Sequence, residues 1–259
     1  MNSPLLIGST PPISRVMMKA ETLEVAKAFW EQAGDPGPFP RNMERAATLA
    51  LPIAIVKLPR LTVATLASWL RKRGIEIAAP VCEGDMAGCV VAHRGCAAIF
   101  VCATDPEDEL RATLAHELAH VLRHYLAPRQ RVIAALGPDV RAVLDGERPA
   151  SFAERAKGLL LGVQVGVHVH VLPRDGRHGA IARIENEADE LALQLVAPRD
   201  AVLDVLRESA ALSASARDRR KLLAERFGLP PDWFAVYAAE RTGPSDRLGS
   251  MLTQLRRSE

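Results

Sequence analysis

His116-Glu117-Leu118-Ala119-His120 sets two imidazoles four residues apart, with a carboxylate directly after the first. Four residues advance an α-helix by about 400°, so both rings leave one side of the helix a turn apart, as two nitrogen donors to one tetrahedral ion must. Glu117 falls about 100° from His116 and about 60° from His120. That puts it beside a shared ion rather than on it, where a carboxylate can take a proton from a bound water. Two helix histidines satisfied by hydrogen bonds are the plain alternative.

A catalytic ion of this kind needs a third protein donor. The continuation H-x-x-G-x-x-H would supply a histidine, but Arg123 and Leu126 occupy those places. A carboxylate from a later helix can serve instead, and Glu185-Asn186-Glu187-Ala188-Asp189 offers one. Glu185 and Asp189 are four apart and share a face, whereas Glu187 lies about 200° from Glu185 and points elsewhere. Glu185 is therefore assigned as the third ligand. Asp189 is assigned as the acceptor for the free N–H of a ligand histidine, which fixes its tautomer. His124 continues the series but lies two turns from His116, too far to close on the same ion. It is a candidate for a supporting or substrate contact, against an ordinary half-buried helix histidine. Zn²⁺ is the ion such a three-ligand set implies, although His₂Glu sites accept other divalent ions.

The element carrying the motif is predicted as a helix with Asp105 as N-cap and Pro106 at its first position. Glu107, Asp108 and Glu109 sit in the first turn, where the helix dipole favours negative charge, and Pro128 marks the far limit. Its apolar stripe of Leu110, Leu114, Leu118, Val121, Leu122 and Tyr125 turns the histidine side toward a cleft rather than the core. A hairpin with strands at 86–92 and 98–101, turning at His93-Arg94-Gly95, leads into it. A substrate strand could add to that hairpin near Ile99 to Val101.

Further out, helices are predicted over 14–32, closing at Gly34, over 62–73, closing at Gly74, and over 182–196, stopping before Pro198. The breaker run 34–40 reads as a linker and 75–77 as extended. Helical pieces fall at 132–136 and 151–160. Strict alternation predicts a strand over 165–171 with its valines on one face. His168 and His170 share the other face, as a surface pair or a donor to a reaction oxyanion. A helical section follows over 201–240, then a polar tail.

The chain has 259 residues, 48% hydrophobic and 25% charged, with a formal charge of +2, which fits a soluble globular protein. Binding to nucleic acid by bulk charge is excluded, and any such contact must be local. No apolar run approaches 18 residues, so no spanning helix is expected. The first ten residues carry no positive charge before a short apolar patch that Pro11 and Pro12 interrupt. They do not read as a secretory signal, and the cytoplasm is the expected compartment. Cys82, Cys89, Cys96 and Cys102 form no C-x-x-C pair and are read as buried reduced thiols.

In order, Leu51-Pro52-Ile53, Gly84-Asp85-Met86-Ala87-Gly88, Ile99-Phe100-Val101, Thr113 to His120 with His124, and Glu185-x-Glu187-Ala188-Asp189-x-Leu191-Ala192-x-x-Leu195-Val196-x-Pro198 resemble the ImmA/IrrE family of zinc metallopeptidase-like regulators. The resemblance covers about 150 residues. It implies an α+β, zincin-like metallopeptidase domain over 41–200, after an N-terminal helical arm and linker (1–40) and before a C-terminal helical region (201–243) and a flexible tail (244–259). It further implies zinc on His116, His120 and Glu185, Glu117 as catalytic base, and a helix-turn-helix repressor as substrate. The chain departs from the pattern at Ala197, where the family usually has Met, and in a long segment at 128–181 that could cover the cleft. Lys221 to Phe234 is similar to a helix-turn-helix module that could make a weak DNA contact through Arg217, Arg219, Arg220, Lys221 and Arg226. A plain helical hairpin is the better reading there. The alternative function is a non-proteolytic regulator or interaction module that retains the fold.

Overall fold

A computed structural model describes residues 20–75, 84–166, 170–173, 180–210 and 215–235. The order of elements is α1 (Ala20–Ala33), α2 (Met43–Ala50), β1 (Ile53–Leu58), α3 (Val63–Arg71), β2 (Gly88–His93), β3 (Cys96–Cys102) and α4 (Glu107–His120), followed by α5 (Ala127–Leu136), α6 (Arg141–Leu144), α7 (Phe152–Leu160), β4 (His170–Pro173), α8 (Ala180–Val196), α9 (Arg199–Ala210) and α10 (Ala216–Phe227). The architecture is α+β, as expected. Among the described residues, no helix is long and apolar enough to cross a membrane.

The four strands are ordered β1-β3-β2-β4, with β1 parallel to β3 and the other pairs antiparallel. Helices cover both faces, which explains why Ala97 to Val101 is continuously apolar rather than alternating. Val90, Ala92, Ala97, Ile99 and Val101 join the main core with residues of α1, α2, α4, α8 and α10. Cys89 and Phe100 point the opposite way, onto Leu66 and Leu70 of α3. The hairpin turns through Arg94 (φ 52°) and Gly95 (φ 79°), the paired positive φ values of a two-residue turn matched to strand twist. The Gly95 N–H donates to the Tyr125 hydroxyl at 2.7 Å, tying that turn to the helix beyond the motif.

Several expectations change. β3 cannot receive a substrate strand, because β1 takes one of its edges and β2 the other, with Ile99 opposite both Ile55 and Val90. Pro106, at ψ 153°, is the N-cap of α4, so the helix starts one residue later than predicted. Pro128 does not end the helical run. Val121–Leu126 widens into π-helix, and the helical backbone runs on through Leu126 and Ala127 into α5, whose first turn holds the proline. The segment read as an arm puts Ala26 and Phe29 into the main core. The long segment after α4 builds a small core of its own from Val132, Val140, Val143 and Leu144.

Toward the C-terminus, Gly228 (φ 63°) caps α10 and a single 3-10 turn, Pro231–Phe234, follows within the described residues. Leu223, Phe227 and Phe234 are buried in the main core, and of the five basic residues there Arg219 is buried too. Cys89 is buried as expected, whereas Cys96 is exposed because it opens β3 at the turn. The strand predicted over 165–171 is described at 170–173. Cys82, residues 76 and 77, His168, the side chain of His170 and the polar tail lie outside what the structure describes.

Candidate metal centre

α4 is buried all round from Ala112 to His120, because the sheet takes one side and α8 the other. The histidine side is therefore not an open cleft: His116, Glu117 and His120 are 1%, 4% and 3% exposed. Two apolar turns of α8, through Ala188, Leu191, Ala192 and Leu195, lock it against α4 and so fix where its acidic residues fall.

Glu185 falls on the two rings. Its Oε2 lies 3.2 Å from His116 Nε2 and its Oε1 3.5 Å from His120 Nε2, while the two Nε2 atoms are 3.0 Å apart. Among the described residues, His116, His120 and Glu185 are the group whose donor atoms could hold a metal ion. A tetrahedral ion with bonds of about 2.0–2.1 Å keeps its donors about 3.3 Å apart, so the spacing suits one. Three donors with one position left over suit an ion that also binds water or substrate.

The supporting contacts decide which ring nitrogens carry protons. Asp189 Oδ1 lies 2.7 Å from His116 Nδ1, so Nδ1–H donates to the carboxylate and Nε2 faces the pocket. His124 is brought to the site as well, its Nδ1 3.1 Å from His120 Nδ1. Burial holds the His124 pKa below the usual histidine value. Glu187 points away from the pocket, as the helical angle required. Sequence reasoning gave it no role, yet it meets Arg123 and lies beside His124.

Burial alone would lower the His116 pKa. Hydrogen bonds to Asp189 and Glu185, with the nearby Glu117 charge, outweigh it and push the value up to about 9. The same contact with His116 holds the Glu185 carboxyl below its ordinary range. In the metal-free protein a proton on His116 thus occupies the pocket below pH ~9, and an arriving ion must displace it. Zinc affinity is expected to strengthen by up to about tenfold per pH unit above neutrality and to level off past pH ~9. The apo protein moves oppositely. The raised pKa adds stability that is fully present below the unfolded value of about 6.5 and lost as pH rises through about 9. Chelator-competition titrations and apo melting curves across this window check both slopes.

Gly88 is a site residue that the sequence placed in a turn pattern and a hairpin strand, with no role at the site. It opens β2 on the face toward α4, where a Cβ would lie 2.6 Å from Glu117 Oε1 and 2.6 Å from the Thr113 methyl. The missing side chain is the space that the Glu117 carboxylate occupies. Next door, burial and then the Glu117 charge push the Cys89 thiol up to about 12. Gly88→Ala is expected to cost about 1–3 kcal/mol by overpacking and to shift Glu117, with zinc binding kept. Denaturant melts and zinc titration of the variant check this, and unchanged stability would mean that the carboxylate has other room.

No family model, curated protein or solved structure matches the chain.

Proposed function

We propose that this chain is a zinc-dependent metalloendopeptidase of the ImmA/IrrE type, with a zincin-like fold, acting in the cytoplasm on a helix-turn-helix transcriptional repressor. The observation that carries the reading is the meeting of His116 and His120 with Glu185, 65 or more residues away, beside a buried Glu117 that none of the three needs as a ligand. A structural zinc site would call for four protein ligands. Three are found among the described residues, which favours a catalytic site over a purely structural one.

A divalent ion on these three residues would supply a Lewis acid for a water molecule and a scissile carbonyl. Glu117 is the base: a carboxylate oxygen takes a proton from the attacking water, the oxygen bonds to the peptide carbon, and the C–N bond breaks. Glu117 then returns that proton to the leaving amine, which balances the hydrolysis. Asp189 keeps the proton of His116 on Nδ1, and Gly88 leaves the base room to lie against the sheet. The test is incubation of the zinc-loaded protein with a helix-turn-helix repressor encoded beside it, read by intact mass. Two fragments that chelator prevents support the reading, and an intact repressor with zinc bound counts against it.

A further inference from the structure

Resting on the metal site above, we infer that Glu187 is a positioning residue that sets the proton positions of His120 through His124, and so presents His120 Nε2 as a metal donor. The geometry is a chain of three groups. Glu187 Oε2 lies 3.6 Å from His124 Nε2, and His124 Nδ1 lies 3.1 Å from His120 Nδ1. His120 Nε2 then faces His116 and Glu185.

Direction along this chain follows from the chemistry of its end. An ion-paired carboxylate accepts and has no proton to give, while a neutral imidazole has one donor and one acceptor nitrogen. At 3.6 Å Glu187 Oε2 is just past hydrogen-bond length, but an acceptor oxygen facing His124 Nε2 favours the proton on that nitrogen and leaves a bare Nδ1. His120 must donate its Nδ1–H to that atom, which leaves its lone pair on Nε2, pointing into the pocket. Asp189 does the same for His116 directly. Each ligand histidine thus has a carboxylate from α8 governing its tautomer, one by contact and one through a second imidazole.

The carboxylate is itself held in place. Arg123 Nε donates to Glu187 Oε2 at 3.2 Å, and Arg183 Nε to Oε1 at 3.1 Å. Arg123 is 7% exposed and reaches on to Glu21 and Thr22 of α1, at 3.1 and 3.4 Å. The π-helical stretch Val121–Leu126 carries both Arg123 and His124, so one departure from α-helix places both partners of Glu187. The angle that turns Glu187 away from the ion is what brings it to them.

The experiment is zinc titration of the full chain against a chromophoric chelator, with ¹⁵N shifts of the histidine rings in the zinc-free protein. His124→Phe fills the space and keeps the Arg123–Glu187 pair; it is expected to bind zinc about 10–100-fold more weakly. Glu187→Ala should lose a similar factor, while Glu187→Gln, which can turn its carbonyl oxygen to Arg123 and His124, should stay within about threefold of wild type. A merely structural role would lower the apo melting temperature of these variants and leave their zinc affinity alone. In the wild type His120 should carry its proton on Nδ1, and in His124→Phe this preference should be lost. Unchanged affinity in His124→Phe, or a wild-type His120 protonated on Nε2, overturns the relay while the zinc site stands. A wild type that binds no zinc sinks the metal reading and the relay with it.

Discussion

Glu117→Gln is expected to bind zinc as the wild type does and to cleave nothing measurable. A positioned general base contributes about 10²–10⁴ in rate, so the loss should be at least of that order. The exchange is nearly isosteric, and the site tolerates the shape because Gly88 leaves the space. Electrostatics sharpen the expectation. Part of what holds the proton on His116 is the Glu117 charge, so removing it should lower the His116 pKa from about 9. The thiol of Cys89 should also fall from about 12, since the same charge helps to raise it. Retained cleavage with zinc bound would remove Glu117 from the mechanism, and lost zinc would make it part of the ion's own support.

The second large effect concerns the ion. Glu185→Ala removes the one donor of the three that comes from outside α4, leaving two imidazoles 3.0 Å apart as the remaining donors among the described residues. Its loss should exceed the 10–100-fold that removing an outer partner typically costs. Stability reports it directly, because an ion that binds only the folded chain stabilises it by about 4.1 kcal/mol at 1,000 times Kd. In a domain of this size that is a rise on the order of 10 °C in melting temperature. Wild type should show the rise with zinc and Glu185→Ala should not. A variant that melts and titrates as wild type would mean that another carboxylate holds the ion.

Residue pattern alone does not separate a solvent-facing side of α4 from a covered one. Leu114, Leu118, Val121 and Tyr125 are buried as the stripe required, yet the opposite face is buried as well. Polar residues on a helix usually mark solvent, and a face covered by a second helix bearing matched acids has the same pattern as a wet one. The expected arm at 14–32 is likewise part of the main core where it is described, through Ala26 and Phe29. The breakers at 34–40 are real, but a break in secondary structure does not separate Phe29 from a core that other elements complete.

What the sequence determined by itself is whatever the helix repeat fixes over a few residues. His116 and His120 on one side, Glu117 beside them, Glu185 and Asp189 sharing a face and Glu187 turned from it are all consequences of about 100° per residue. The hairpin and its turn are equally local. Only the tertiary structure decided that Glu185 sits between the rings, that Gly88 gives Glu117 its room, and that Arg123 and His124 converge on Glu187. These contacts join residues 29 to 69 positions apart. Their geometry is set by how α1, α4, α8 and the sheet pack, a balance of buried area and volume over the whole core that no short window of residues contains.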